Sequence, residues 1–177
     1  MRWGLDRRIA LVVMSFVGTT PKRMVFGLML TTTFLSAFMS NTATAAMMVP
    51  VAMALITLVH STKKSGDPDA ATHEHNFSLC ILLALAYGAS IGGMATLIGS
   101  PPNGIYMRFM EQTYGQVVSI ASWMKVGVPV TLLLFIVSFF VLTGLMFRNM
   151  GGSVPGGKEW VRNELRSMGK LSTGEKA

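Results

Sequence analysis

Between Met24 and Val59 the sequence has no ionisable side chain, and only 8 of its 177 residues are Asp or Glu. Charged residues make up 13% of the chain, against about a quarter in soluble domains. The apolar residues lie in blocks too long for a small soluble core, so the chain reads as an integral membrane protein. The single cysteine, Cys80, excludes an intrachain disulfide. Inside an apolar run it reads as a small helix-packing residue. The apolar blocks also lack a carboxylate, a histidine or a nucleophile–base pair, which excludes a membrane enzyme.

The formal charge is +7, but its placement argues against nucleic acid as a partner. Arg7, Arg8, Lys22 and Arg23 precede the first apolar block; Arg148, Lys158, Arg162, Arg166 and Lys170 follow the last. That is the positive-inside pattern, without basic and aromatic residues interleaved on a soluble face. His73 and His75 are spaced to catch a metal, but among Asp67, Asp69 and Glu74 they read as part of a solvated loop. The basic start followed by apolar Ile9–Gly18 imitates a signal peptide, yet Thr19-Thr20-Pro21-Lys22 replaces a small-x-small cleavage site. The expectation is an interfacial helix, with Ile9, Val12, Val13 and Phe16 on the bilayer.

Six segments follow. They are a cytoplasmic or interfacial segment (1–23), a hairpin (24–59), a polar cytoplasmic loop (60–76), a broken transmembrane helix with its loop (77–121), a transmembrane helix (122–147) and a cytoplasmic linker (148–177). The first block holds 36 residues, short of the ~40 plus a turn that two spanning helices need. Two arms of about sixteen residues cross a ~30 Å core poorly. A re-entrant hairpin with basic flanks, Lys22-Arg23 and Lys63-Lys64, on one face fits better than the alternative of one tilted span plus an interfacial piece. Phe77–Ile98 can span, and Gly99-Ser100-Pro101-Pro102 stops it. Ser100 then reads as the N-cap of a new half-helix with proline at its first position. A plain extramembrane loop over 99–104 is the alternative.

Ser40-Asn41-Thr42 stands at the centre of the uncharged block. An unpaired polar group in hydrocarbon costs roughly 2–7 kcal/mol, so this tripeptide reads as a site. Hydroxyl and amide oxygens are ligands for a hard cation. Ser36, expected one turn before Ser40 on the same helix face, together with Ser40 and Asn41 can present oxygens to one sodium ion. Gly99 adds a backbone carbonyl, since glycine permits close approach. Asn41, Thr42 and Ser100 then face an anion at helix N-termini. Thr31, Thr32 and Thr33 read as hydroxyls bonded back to helix carbonyls.

Ser36-Ala-Phe-Met-Ser40-Asn41-Thr42-Ala-Thr-Ala-Ala-Met-Met-Val-Pro50 and Ala86-Tyr-Gly-Ala-Ser-Ile-Gly-Gly-Met-Ala-Thr-Leu-Ile-Gly-Ser-Pro-Pro-Asn103 resemble the divalent anion:sodium symporter family. The resemblance implies sodium-coupled symport of di- or tricarboxylates, or of sulfate, in a multi-pass protein of the inner (plasma) membrane. It implies an all-α fold of two inverted repeats, each with a re-entrant hairpin tipped by Ser-Asn-Thr and a broken helix. The transport domain would move as an elevator on a homodimeric scaffold. Sodium would be held by Ser36, Ser40, Asn41 and Gly99, and the substrate by Asn41, Thr42, Ser100 and Pro101. No second Ser-Asn-Thr occurs, so the chain resembles a fragment carrying most of the first repeat, without the leading helices and the second repeat. Coupling to sodium rather than protons agrees with the missing buried carboxylates. The runner-up is a half-size membrane protein acting as an antiparallel dimer or a channel.

Overall fold

The computed structural model describes residues 20–61 and 70–148, with Met150, Arg162, Asn163 and Arg166. The expected interfacial helix of the first segment lies outside the described residues, as do 62–69 and nearly all of the 148–177 linker. The described chain is helical: α1 (Pro21–Ser36), α2 (Asn41–Ser61), α3 (Ala70–Gly92), α4 (Pro101–Tyr114) and α5 (Ile120–Phe140), the last continuing as a π-helical segment, Val141–Met146. Three stretches, Asn41–His60, Ala71–Gly92 and Ile120–Met146, are long and apolar enough to cross a membrane.

Local chemistry sets the ends. Thr20 is extended and Pro21 opens α1, where a missing N–H costs nothing. Gly115, at φ 66°, closes α4 with its N–H on the Glu111 carbonyl, while the Gln116 N–H reaches back to Met110. Ser119 caps α5 by accepting from the Ser122 N–H at 3.1 Å. Buried residues recur at helical spacing: Met24, Val25, Leu28 and Met29; Met48, Val51, Ala52 and Leu55; Phe77, Cys80, Ile81 and Ala84. They form one core in which α3 packs against both arms of the hairpin. Cys80 is buried there.

The contacts fix helix directions. A Cβ on Gly88 would meet the Met29 carbonyl at 3.0 Å, and Gly92 backs onto the Thr33 main chain. Both numbers rise together, so α1 and α3 run parallel. The Asn41 side chain lies against Gly93, while His60 lies 4.0 Å from Glu74 and 3.4 Å from Ser78; α2 therefore runs antiparallel to α3. Trp123 bonds the Met94 carbonyl and Thr131 the Ile91 carbonyl, while Phe135 packs edge-on against Phe26; α5 also runs antiparallel to α3. The starts of α1 and α3 and the ends of α2 and α5 share one end of the molecule.

The structure corrects four expectations. The arms of the hairpin are unequal, 16 and 21 residues, and the second is long enough to cross on its own. The polar segment 60–76 is helical at both ends, because α2 continues to Ser61 and α3 begins at Ala70. His73, Glu74 and His75 thus sit on the first turns of a helix, not in a loop. The second break starts earlier than expected: α3 stops at Gly92, and residues 93–100 are non-helical. Adjacent Gly92 and Gly93 are poor helix formers, and close packing on α1 needs the missing Cβ more than it needs helix propensity. Finally, α1 ends at Ser36, so Ser40 is not on its next turn. Ser40 stands just before α2 and caps it, its Oγ accepting the Ala43 N–H at 3.3 Å. A local cap at the new helix competes with extension of the old one.

Candidate functional site

The two helix breaks meet. Thr96 Oγ1 donates to the Ala37 carbonyl at the hairpin tip and accepts the Gly99 N–H at 3.2 Å. Ser36 Oγ, fully buried, donates to the Ala89 carbonyl at 2.6 Å and lies 2.9 Å from Asn41 Oδ1. A hydroxyl has one proton for these two acceptors. Lone pairs on Ser36 Oγ and on one acceptor stay available to a cation. The Ala89 carbonyl also takes the Gly93 N–H, at a longer 3.3 Å.

Glycines press backbone into this cluster. A Cβ on Gly99 would stand 2.7 Å from the Gly93 carbonyl and 2.9 Å from the Ser36 carbonyl. A Cβ on Gly93 would run into the Asn41 carboxamide. The oxygens are neutral, hard and partly desolvated, a donor set suited to a hard monovalent or divalent cation rather than to a soft metal. Among the described residues no group of three or more His, Cys, Asp or Glu gathers.

Most carbonyls released at the end of α3 already have donors. Ile91 accepts from Met94 and Thr131, Gly92 from Ala95, and Met94 from Trp123 Nε1 at 3.0 Å. Gly93 and Thr96 each accept from Asn103 Nδ2 at 2.8 Å. The break is thus a satisfied, built loop. Thr31 and Thr32 bond back to Gly27 and Leu28 as expected. Thr33 does not: its Oγ1 and that of Thr44 are buried without a hydrogen-bond partner.

Ser36, Asn41 and Gly99 come together through Ala89 and Gly93. Ser40 and Thr42 are exposed at the tip, Pro101 is exposed, and Ser100 is half-buried. Ser100 occupies the N-cap of α4, but its side chain makes no cap hydrogen bond. Pro101 and Pro102 have no N–H, and the Asn103 N–H is taken by the Ser100 carbonyl. The start of α4 therefore offers an anion the Ser100 hydroxyl rather than a set of free backbone donors. Beyond it a groove of about 700 Å³ opens between α4 and α5, lined by residues including Met94, Asn103, Tyr106 and Trp123.

Sequence reasoning missed Ala89, Thr96 and Asn103. Ala89 acts through its carbonyl, which no side chain announces. Asn103, a buried amide directly after two prolines in an apolar block, carried the same signal that marked Asn41.

A helical membrane protein with an oxygen-lined meeting of two helix breaks is the class these observations define. The chain belongs to the family described as the sodium:sulfate symporter transmembrane region, whose profile matches residues 1–177. It is a multi-pass protein of the plasma membrane, in a family of transporters rather than enzymes. It is 34% identical over 177 residues to the sodium-dependent dicarboxylate transporter SdcS of Staphylococcus saprophyticus, covering 99% of this chain and 33% of that protein. It is 33% identical over 175 residues to the transporter of the same name in Staphylococcus aureus, with the same coverage. The chain spans about a third of the length of the curated relatives it matches.

Proposed function

We propose that this chain carries the first sodium site and half of the substrate site of a sodium-coupled symporter for di- or tricarboxylates, with sulfate as the other candidate anion. The observation that carries the reading is the convergence of Ser36 Oγ, Asn41 Oδ1 and the Ala89 carbonyl around one hydroxyl proton, with Gly99 backbone against the Ser36 carbonyl. Sodium is cargo here. Ser36 and Asn41 would hold it, joined by the Gly99 backbone and by Ser40 once its hydroxyl leaves the Ala43 N–H. Asn41 Nδ2, Thr42 and Ser100 would face the anion, with Pro101 shaping the wall beside them. The relatives named for sodium-dependent dicarboxylate transport favour this cargo.

Hairpin re-entrancy is part of the proposal. Gly127, against the Met94 and Ala95 carbonyls beside the tip, stands seven residues into α5, about 10 Å along its axis. The tip would then lie well short of the far end of a crossing helix, with 1–23, 60–76 and 148–177 on the cytoplasmic side. The second repeat would complete the anion site in a homodimeric carrier moving as an elevator, as in the family the motifs resemble. The test is uptake of labelled succinate, citrate and sulfate by the full-length transporter, with and without sodium. Equal uptake in sodium and in choline would refute sodium coupling.

A further inference from the structure

Asn103 is 8% exposed, while Pro101 and Pro102 beside it on the first turn of α4 are exposed. Its amide spends both hydrogens on the break, one on the Gly93 carbonyl and one on the Thr96 carbonyl, each at 2.8 Å. These two carbonyls belong to residues that touch the proposed sodium cluster from different sides. The Gly93 backbone lies against the Asn41 carboxamide, and Thr96 Oγ1 joins the Ala37 carbonyl to the Gly99 N–H. The path runs without a gap: first turn of α4, Asn103, Gly93 and Thr96, then Asn41, Ala37 and Gly99. At its other end Ser100 is three residues from Asn103 and tied to it by the Asn103 N–H at 3.1 Å.

We infer that Asn103 is the positioning residue that couples the cation cluster to the anion-facing turn of α4. An ion drawn in by Ser36 and Asn41 fixes Asn41 against Gly93. Gly93 and Thr96, held as a pair by one amide, then fix the turn that carries Ser100. Sodium thereby raises the affinity for the anion without touching it, and the anion does the same for sodium. This inference rests on the proposed sodium site.

The test uses the purified full-length transporter in vesicles, with uptake normalised to folded protein. The readout is the ratio of the apparent succinate constants at low and at saturating sodium. In Asn103→Asp, equal in size but with no donor when ionised and one at most when protonated, so that it cannot hold both carbonyls, this ratio should shrink about tenfold, within the usual range of coupling between sites. A purely structural role would lower the amount of folded protein and leave the ratio per folded molecule alone. Thr96→Val, which removes the hydroxyl joining tip and break, should shrink the ratio in the same direction. A wild-type ratio in Asn103→Asp would overturn the inference. If Asn103→Asp yields no folded protein, Thr96→Val decides in its place, and a wild-type ratio there overturns the inference. Asn41→Ala is run in parallel. If it too keeps the wild-type sodium dependence, the sodium-site reading has failed; if it loses that dependence while the other variants keep theirs, only the coupling role of Asn103 has failed.

Discussion

Ser36 Oγ lies 2.9 Å from Asn41 Oδ1, although one residue ends a helix and the other begins the next. The same hydroxyl lies closer, at 2.6 Å, to a second acceptor, the Ala89 carbonyl. In the proposed sodium site the two oxygens would serve as a pair of ligands to one ion.

Asn41→Ala in the complete transporter should therefore weaken sodium dependence strongly. Removing one ligand from a desolvated cation costs on the order of 1–3 kcal/mol, about 5–150-fold in affinity. Uptake against sodium concentration measures it, and an unchanged sodium curve would remove Asn41 from the site.

Gly99→Val should damage transport far more than Ile98→Val. Any Cβ at position 99 falls within 3 Å of the Gly93 and Ser36 carbonyls, whereas Ile98 is 66% exposed. Trimming one methylene there costs at most about 0.5–1.5 kcal/mol. Parallel uptake at matched surface expression checks this. Equal, mild effects would reduce residues 93–100 to a connector.

Ser100→Ala should raise the apparent constant for the anion and leave thermal stability nearly unchanged. The hydroxyl makes no cap hydrogen bond, so its loss should not weaken α4. A fall in melting temperature with an unaltered substrate constant would assign Ser100 to structure instead.

Gly92→Ala should lower the yield and melting temperature of the folded protein, by about 1–3 kcal/mol for an overpacked contact. Its Cβ would stand 2.8 Å from the Thr33 Cα. Ser90→Ala, at an exposed position, is the control and should be neutral.

Single cysteines introduced as Asp67→Cys and Asn163→Cys in a Cys80→Ser background should both react from the cytoplasmic side. Labelling of position 67 from outside, with 163 inside, would rule out the re-entrant hairpin.

Much of this was legible because membrane chemistry makes polar residues conspicuous. Asn41 and Ser36 stood out in an uncharged block, and Thr31 and Thr32 bond back to their helix as their type suggests. Ser100 and Pro101 open α4 where the Ser-Pro pair placed its start. The end of α3 was misread because Gly92 and Gly93 look like packing residues within a helix, and they both pack and end it. Ser40 was misplaced because helical spacing from Ser36 holds only while the helix continues. Its own capping bond, a tertiary clasp by Thr96 and the Ala89 carbonyl together decide where α1 stops, and spacing along the chain does not encode them.

The parallel seam between α1 and α3 limits what can move. Gly88 sits on the Met29 carbonyl and Gly92 on the Thr33 main chain, one turn apart on each helix, and the Ser36–Ala89 bond closes the seam at its deep end. Prying these helices apart would open close backbone contacts and leave the Ser36 hydroxyl without its Ala89 acceptor, at a cost of about 1–3 kcal/mol for the lost bond alone. In the proposed symporter the hairpin's first arm and α3 would therefore move together. On that reading an opening for cargo would run along another boundary, and the second arm, joined to the first by four residues and less extensively packed on α3, is the element whose shift would disturb the least packing.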